Sequence, residues 1–221
     1  MNNQTKANLR KVIVSNKLQI ASNVYVLSFE RFNDFIAGQM VRLAIQPSGI
    51  SRLYSIASGE KAPEISILFD EKPEGSLTPL LSKLQPGDAL FCSDPFGSFI
   101  CKPEKEVWIA NGTGIAPFVS MALSGKALQK TLIQGARTLQ HFYYKDLFER
   151  ILKENYKKCC SGELHQGMFQ GRITDYLKTT DFADKSLPFY LCGSAEMVVD
   201  TRDILIEKGF RYDRIVSEIY F

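Results

Sequence analysis

A change of rhythm near position 100 constrains this 221-residue chain more than any other feature. Upstream, short segments alternate apolar and polar residues at 11–15, 24–29, 40–45, 53–56, 65–69 and 89–92. Runs with a period of two, broken by turn residues, predict an antiparallel β-barrel or sandwich. One helix is expected at 78–84, ended by Gln85-Pro86-Gly87-Asp88. Downstream, apolar strands at 107–110, 131–134 and 189–192 alternate with helical stretches at 116–123, 144–154 and 195–208. That alternation predicts right-handed crossovers and a doubly wound, mostly parallel sheet. The reading is therefore two units: an N-terminal antiparallel β-barrel or sandwich at 1–102 and a C-terminal α/β domain at 103–221.

Composition removes several function classes. With 27 Lys and Arg against 24 Asp and Glu, interspersed and without a basic stripe, the net charge of +3 gives no footing for nucleic acid. No apolar run reaches the ~18 residues of a membrane span, and the N-terminus lacks a signal-peptide core, so a soluble cytoplasmic protein is expected. The five cysteines are scattered without C-x-x-C spacing, which argues against a disulfide framework, a zinc site or an iron–sulfur cluster. His141 and His165 stand in no metal or triad pattern. Any redox chemistry in such a chain must come from a bound cofactor.

Two short segments point to which one. In Arg52-Leu53-Tyr54-Ser55, an Arg and an aromatic residue two apart on a strand share a face. The guanidinium can neutralise a pyrophosphate while the ring stacks on a flat heterocycle, although a core tyrosine beside a surface arginine would read the same way. Gly75-Ser76-Leu77-Thr78 then opens a helix, where backbone N–H groups and hydroxyls suit the same anion; alone it is only a cap. The second segment, Gly112-Thr113-Gly114-Ile115-Ala116-Pro117, follows an apolar strand and enters a helix. Its glycines allow the close backbone approach that a dinucleotide requires, and Pro117 suits the first helical turn.

Taken together, the R-x-Y-S run, the G-T-G-x-A-P turn and the later Cys192-Gly193 pair at a strand end resemble the ferredoxin-NADP reductase family. The resemblance covers nearly the whole chain. It implies FAD held by Arg52, Leu53, Tyr54, Ser55, Ile67, Leu68, Gly75, Ser76, Leu77, Thr78 and Thr113, the strand at 65–69 contributing backbone groups. It implies NADP held by Gly112, Thr113, Gly114, Arg137, Ser161, Arg172, Cys192 and Gly193. Asp200 reads equally as a groove residue or an exposed helical acid. Bacterial members of the family commonly carry S-R-E where this chain has Ser161-Gly162-Glu163. Losing one phosphate contact of ~1.5–3 kcal/mol weakens an NADPH preference by roughly one to two orders of magnitude, which leaves NADH open.

The chain ends Glu218-Ile219-Tyr220-Phe221, and free ends are normally polar. By the resemblance Tyr220 stacks on the flavin and Phe221 extends toward adenine; an apolar edge strand packed for stability is the alternative. Ser55, Cys192 and Glu218 are expected to surround the point of hydride transfer, with Tyr220 yielding its place to nicotinamide. The expected activity moves electrons between NADPH and ferredoxin or flavodoxin through FAD, in a monomer. An NADH-dependent reductase component feeding an oxygenase is the alternative, and a non-catalytic flavin-binding subunit or sensor the lesser one.

Overall fold

The computed structural model describes residues 9–102 and 104–220. The first half folds as one sheet in which β1 (Arg10–Ala21), β2 (Val24–Glu30), β3 (Met40–Ala44), β4 (Ser51–Ser55), β5 (Glu64–Asp70) and β6 (Ala89–Cys92) lie in the order β4-β3-β6-β1-β2-β5. Every pairing is antiparallel. An antiparallel bridge from Ile56 to Ile67 joins the two edges, which closes the sheet on itself as a barrel. Inside lie Val12, Val14, Leu27, Phe29, Val41, Leu43, Ile56, Ile65, Ile67 and Phe69, the inward set of each alternating strand.

The second half is a six-stranded, wholly parallel sheet: β7 (Glu106–Asn111), β8 (Lys130–Ala136), β9 (Tyr156–Cys160), β10 (Phe169–Gln170), β11 (Phe189–Ser194) and β12 (Ile215–Tyr220), in the order β10-β9-β8-β7-β11-β12. Trp108 and Ala110 face α2 (Ala116–Leu123) and α3 (Lys145–Leu152), whereas Val107 and Ile109 face α4 (Ile173–Thr179) and α5 (Ala195–Glu207). Helices thus cover both faces, and the strand order reverses between β7 and β11. That switch point is where open α/β sheets form their ligand crevice.

The halves meet on α2. Val24, Ala37, Ala57, Leu68 and Phe99 of the first half pack with Phe118, Val119 and Met121 in one buried cluster. Ser120 Oγ donates to the Ser58 carbonyl at 2.7 Å, and Glu60 binds Lys126 across the same seam. Below the sheet, Lys130 and Glu106 form a fully buried ion pair at 3.3 Å. Lys130 Nζ also donates to the Lys102 carbonyl at 2.6 Å and to that of Glu104, so the pair grips the segment joining the halves.

Several expectations need correction. The helix expected at 78–84 is a single turn, α1 (Thr78–Leu81), because the Lys17 ammonium takes the Ser82 carbonyl at 2.7 Å and the chain turns away. The helix expected at 144–154 is bounded by two left-handed residues, Tyr144 (φ 58°) and Lys153 (φ 51°), and shortens to α3. β1 runs beyond Ser15 to Ala21, and β9, β10 and α4 were not anticipated. No helix among the described residues is long and apolar enough to cross a membrane.

Candidate functional site

β12 lies parallel beside β11 in a register that sets Glu218 opposite Cys192 and Tyr220 opposite Ser194. Tyr220 is thus the last rung of a strand, and its phenol donates to Ser55 Oγ at 2.6 Å. Ser55 Oγ donates to Glu218 Oε2 at 3.0 Å. A relay of three hydroxyl and carboxyl groups therefore joins the end of β4 to the end of the chain, with the buried Cys192 thiol beside it. Burial pushes the Glu218 carboxyl up to about 7, with the Ser55 hydrogen bond opposing. Burial likewise raises the Cys192 thiol, and the Glu218 carboxylate adds to that. Three of the expected site residues, Ser55, Cys192 and Glu218, are brought together from positions 163 residues apart in sequence, with Tyr220 among them. Phe221 lies outside the described residues.

Arg52 and Tyr54 share a face of β4, and Arg52 Nη2 approaches Ser76 Oγ at 3.4 Å. The Arg52 side chain is exposed and, among the described residues, has no carboxylate within ion-pairing distance. A guanidinium with free donors beside a hydroxyl is the donor set that a pyrophosphate requires. Tyr54 packs edge-on against Phe69, with ring centroids 6.3 Å apart. Leu53 is exposed, while the side chains of Ile67, Leu68 and Leu77 are buried in apolar clusters. Thr78 Oγ1 is already engaged by the Lys72 amide at 2.9 Å, and Gly75 fits because a Cβ there would lie 2.9 Å from the Lys72 carbonyl. The expected anion site at a helix start is therefore reduced to Arg52 and Ser76, since α1 is one turn long.

At the switch point the glycines are required by contact. A Cβ on Gly114 would stand 2.3 Å from the Cys192 carbonyl oxygen, and Gly193 adopts φ +152° with a Cβ position 1.9 Å from Asn111 Oδ1. Gly112 (φ +54°) is exposed at the crevice, and Thr113 is half-buried beside it. Backbone can approach a dinucleotide closely here, as the fit requires. Arg137 and Ser161 are neighbours at the ends of β8 and β9: Ser161 N donates to Ala136 O at 3.1 Å and Gly162 N to Arg137 O at 2.8 Å. Gly162 is more than a lost arginine, because a Cβ there would lie 2.6 Å from the Arg137 carbonyl. Arg172 is paired with Glu196 at 2.9 Å, both largely exposed. Asp200 is an exposed acid on α5 that forms no ion pair among the described residues.

Sequence reading missed Asn111, Ser194 and Glu196. Asn111 precedes the glycine turn and is tied to Ser194 by two hydrogen bonds, a contact between positions 83 residues apart that no local pattern signals. Among the described residues no cluster of three or more His, Cys, Asp or Glu side chains is placed to hold a metal ion.

Comparison with known proteins bears on the family and the fold. Residues 108–203 match the family model described as Oxidoreductase NAD-binding domain. The chain is 31% identical to a probable dihydroorotate dehydrogenase B (NAD(+)), electron transfer subunit, of Pyrococcus abyssi, over 96% of this chain and 79% of that protein. It is 29% identical to the toluate 1,2-dioxygenase electron transfer component of Pseudomonas putida over 90% of its own length, spanning 63% of that relative. Its fold superposes on a ferredoxin NADP+ reductase from Neisseria gonorrhoeae with bound FAD and NADP, with a TM-score of 0.87 at 23% identity, covering 97% of this chain and all (100%) of the other. The chain belongs to the ferredoxin-NADP reductase family, whose members are FAD- and NAD(P)-binding oxidoreductases.

Proposed function

We propose that this chain is an FAD-dependent reductase in which residues 1–102 hold FAD and residues 103–221 hold the nicotinamide nucleotide. The observation that carries the reading is the convergence of Ser55, Glu218, Tyr220 and Cys192 where the barrel meets the parallel sheet. Bound there, FAD would supply the chemistry, taking a hydride from the nicotinamide and releasing electrons singly. Arg52 and Ser76 hold the pyrophosphate, and Tyr54 lies against the ring system. Gly112, Thr113, Gly114 and Gly193 let the nucleotide approach, with Cys192 beside the nicotinamide. Ser55 donates a hydrogen bond and Glu218 exchanges a proton within reach of Ser55 Oγ. Tyr220 covers this position and swings aside for the nucleotide, its main chain staying in β12.

For the nucleotide, Arg137, Ser161 and Arg172 support NADPH, and ferredoxin or flavodoxin is the carrier proposed with it. A second reading, NADH with an oxygenase or another enzyme as acceptor, is favoured by two observations. Gly162 packs on the Arg137 carbonyl, leaving no room for an arginine, and Glu196 occupies Arg172. The ratio of kcat/KM for NADPH over NADH, measured with an artificial acceptor and then with ferredoxin and flavodoxin, tests this. A ratio well above ten with rapid ferredoxin or flavodoxin reduction supports the first reading. A ratio below one supports the second, and no acceptor reduction with either nucleotide refutes both.

A further inference from the structure

The backbone ladder between β7 and β11 ends at the pair Ala110 and Cys192. One step further the two strands part, at the point where the sheet order reverses. Across that gap the Asn111 carboxamide does what a peptide group would do. Its Oδ1 accepts from the Ser194 amide at 2.9 Å, and its Nδ2 donates to Ser194 Oγ at 3.0 Å. Ser194 Oγ also accepts from the Met197 amide at 3.4 Å, capping α5. Gly193 lies between these contacts with φ +152°, held so close that a Cβ would fall 1.9 Å from Asn111 Oδ1. On the other side a Cβ on Gly114 would lie 2.3 Å from the Cys192 carbonyl oxygen. The side chain therefore ties the start of the glycine turn to the start of α5 and fixes the spacing of Gly112 and Gly193 across the crevice mouth.

We propose that Asn111 is a positioning residue for the nicotinamide nucleotide, its carboxamide forming a side-chain rung that sets the width of the β7–β11 crevice. This rests on the reductase reading given above. A loosened rung changes where a bound nicotinamide lies relative to its acceptor more than how tightly the whole nucleotide binds, because most binding contacts lie elsewhere. Misplacement of reacting atoms by about 1 Å costs on the order of 10²-fold in rate, so a partial loosening is expected to cost roughly 10- to 100-fold.

The test compares wild type, Asn111→Ala and Ser194→Ala as flavin-loaded full chains. Ser194→Ala keeps the hydrogen bond from its own amide to Oδ1 and removes the Nδ2 contact together with the cap on Met197, so its effect on the rung should be weaker, roughly threefold, and it keeps the test open if Asn111→Ala does not fold. The first readout is amide exchange without nucleotide. Losing a hydrogen bond of ~1 kcal/mol should speed exchange at Ser194 about fivefold in Asn111→Ala. The second is the rate of flavin bleaching by NADPH or NADH carrying protium or deuterium at C4, with the nucleotide Kd measured alongside. Asn111→Ala should lower the rate at saturation and enlarge the isotope effect, with Kd changed less than about threefold. Faster exchange with unchanged rate and isotope effect would overturn the positioning role, and unchanged exchange would overturn the rung itself. A wild type that neither nucleotide bleaches would refute the reductase reading and this proposal with it. A normal wild type matched by a normal Asn111→Ala would refute this proposal alone.

Discussion

Glu218 should make the protein less stable as pH rises through neutrality, and Glu218→Gln should remove that loss. Burial lifts the carboxyl from its ordinary value of 4.5 to about 7. At about 1.4 kcal/mol per pH unit, that difference is worth about 3 kcal/mol, and partial exposure of the side chain lowers the expected value to about 2–3 kcal/mol. The direction follows from proton counting. Below pH 4.5 the group is protonated in both folded and unfolded chains and contributes nothing. Between that value and about 7 the folded chain keeps a proton that the unfolded chain has released, so stability falls with rising pH; above about 7 the full loss is present. Glutamine keeps an acceptor for Ser55 Oγ and carries no charge. Urea unfolding of both proteins from pH 4 to pH 8.5, followed by fluorescence of the buried Trp108, reads the difference. The variant should match wild type at the acid end and exceed it by about 2–3 kcal/mol at pH 8, or ~4–12 °C in Tm for a chain of this size. Glu60 and Glu149, whose carboxyls are held below their ordinary values by Lys126 and Lys158, weaken both proteins equally in acid and cancel. A difference that does not change with pH, or a wild type more stable than the variant at pH 8, would refute the reasoning.

Three further outcomes follow from the buried ion pair, the Arg52 guanidinium and the Tyr220 ring. Lys130→Met strands a fully buried Glu106 and should cost about 3–5 kcal/mol in urea unfolding, most of it recovered in the double variant with Glu106→Gln; a loss under about 1 kcal/mol would contradict the buried pair. Arg52→Ala removes charge-assisted contacts and should weaken FAD binding roughly 10- to 100-fold by fluorescence titration, equal affinity being the contrary result. Tyr220→Ser should tighten nucleotide binding while slowing turnover, and an unchanged nucleotide Kd would rule out a covering role for that ring.

The elements that sequence reading found most closely are those whose signals are local. α2 begins and ends where the apolar run and Pro117 place it, and β6 matches its four-residue alternation. β9 escaped because Tyr-Lys-Lys-Cys-Cys has no clean period, two lysines standing in the middle of the strand. The site divides the same way. Arg52, Ser55 and the glycine turn are visible as short motifs, but their meeting depends on β12 returning beside β11 in one register. Gly162 illustrates the opposite error: it reads as a missing charge, while its contact with the Arg137 carbonyl is a steric requirement that appears only in three dimensions.

The central claim is that this fold carries a flavin reduced by a nicotinamide nucleotide, and the visible spectrum of the purified protein tests it most directly. After incubation with FAD and removal of the excess, anaerobic titration with NADPH and then NADH should bleach the flavin bands, one nucleotide acting at much lower concentration than the other. A protein that retains no flavin, or whose flavin neither nucleotide bleaches, would contradict the account.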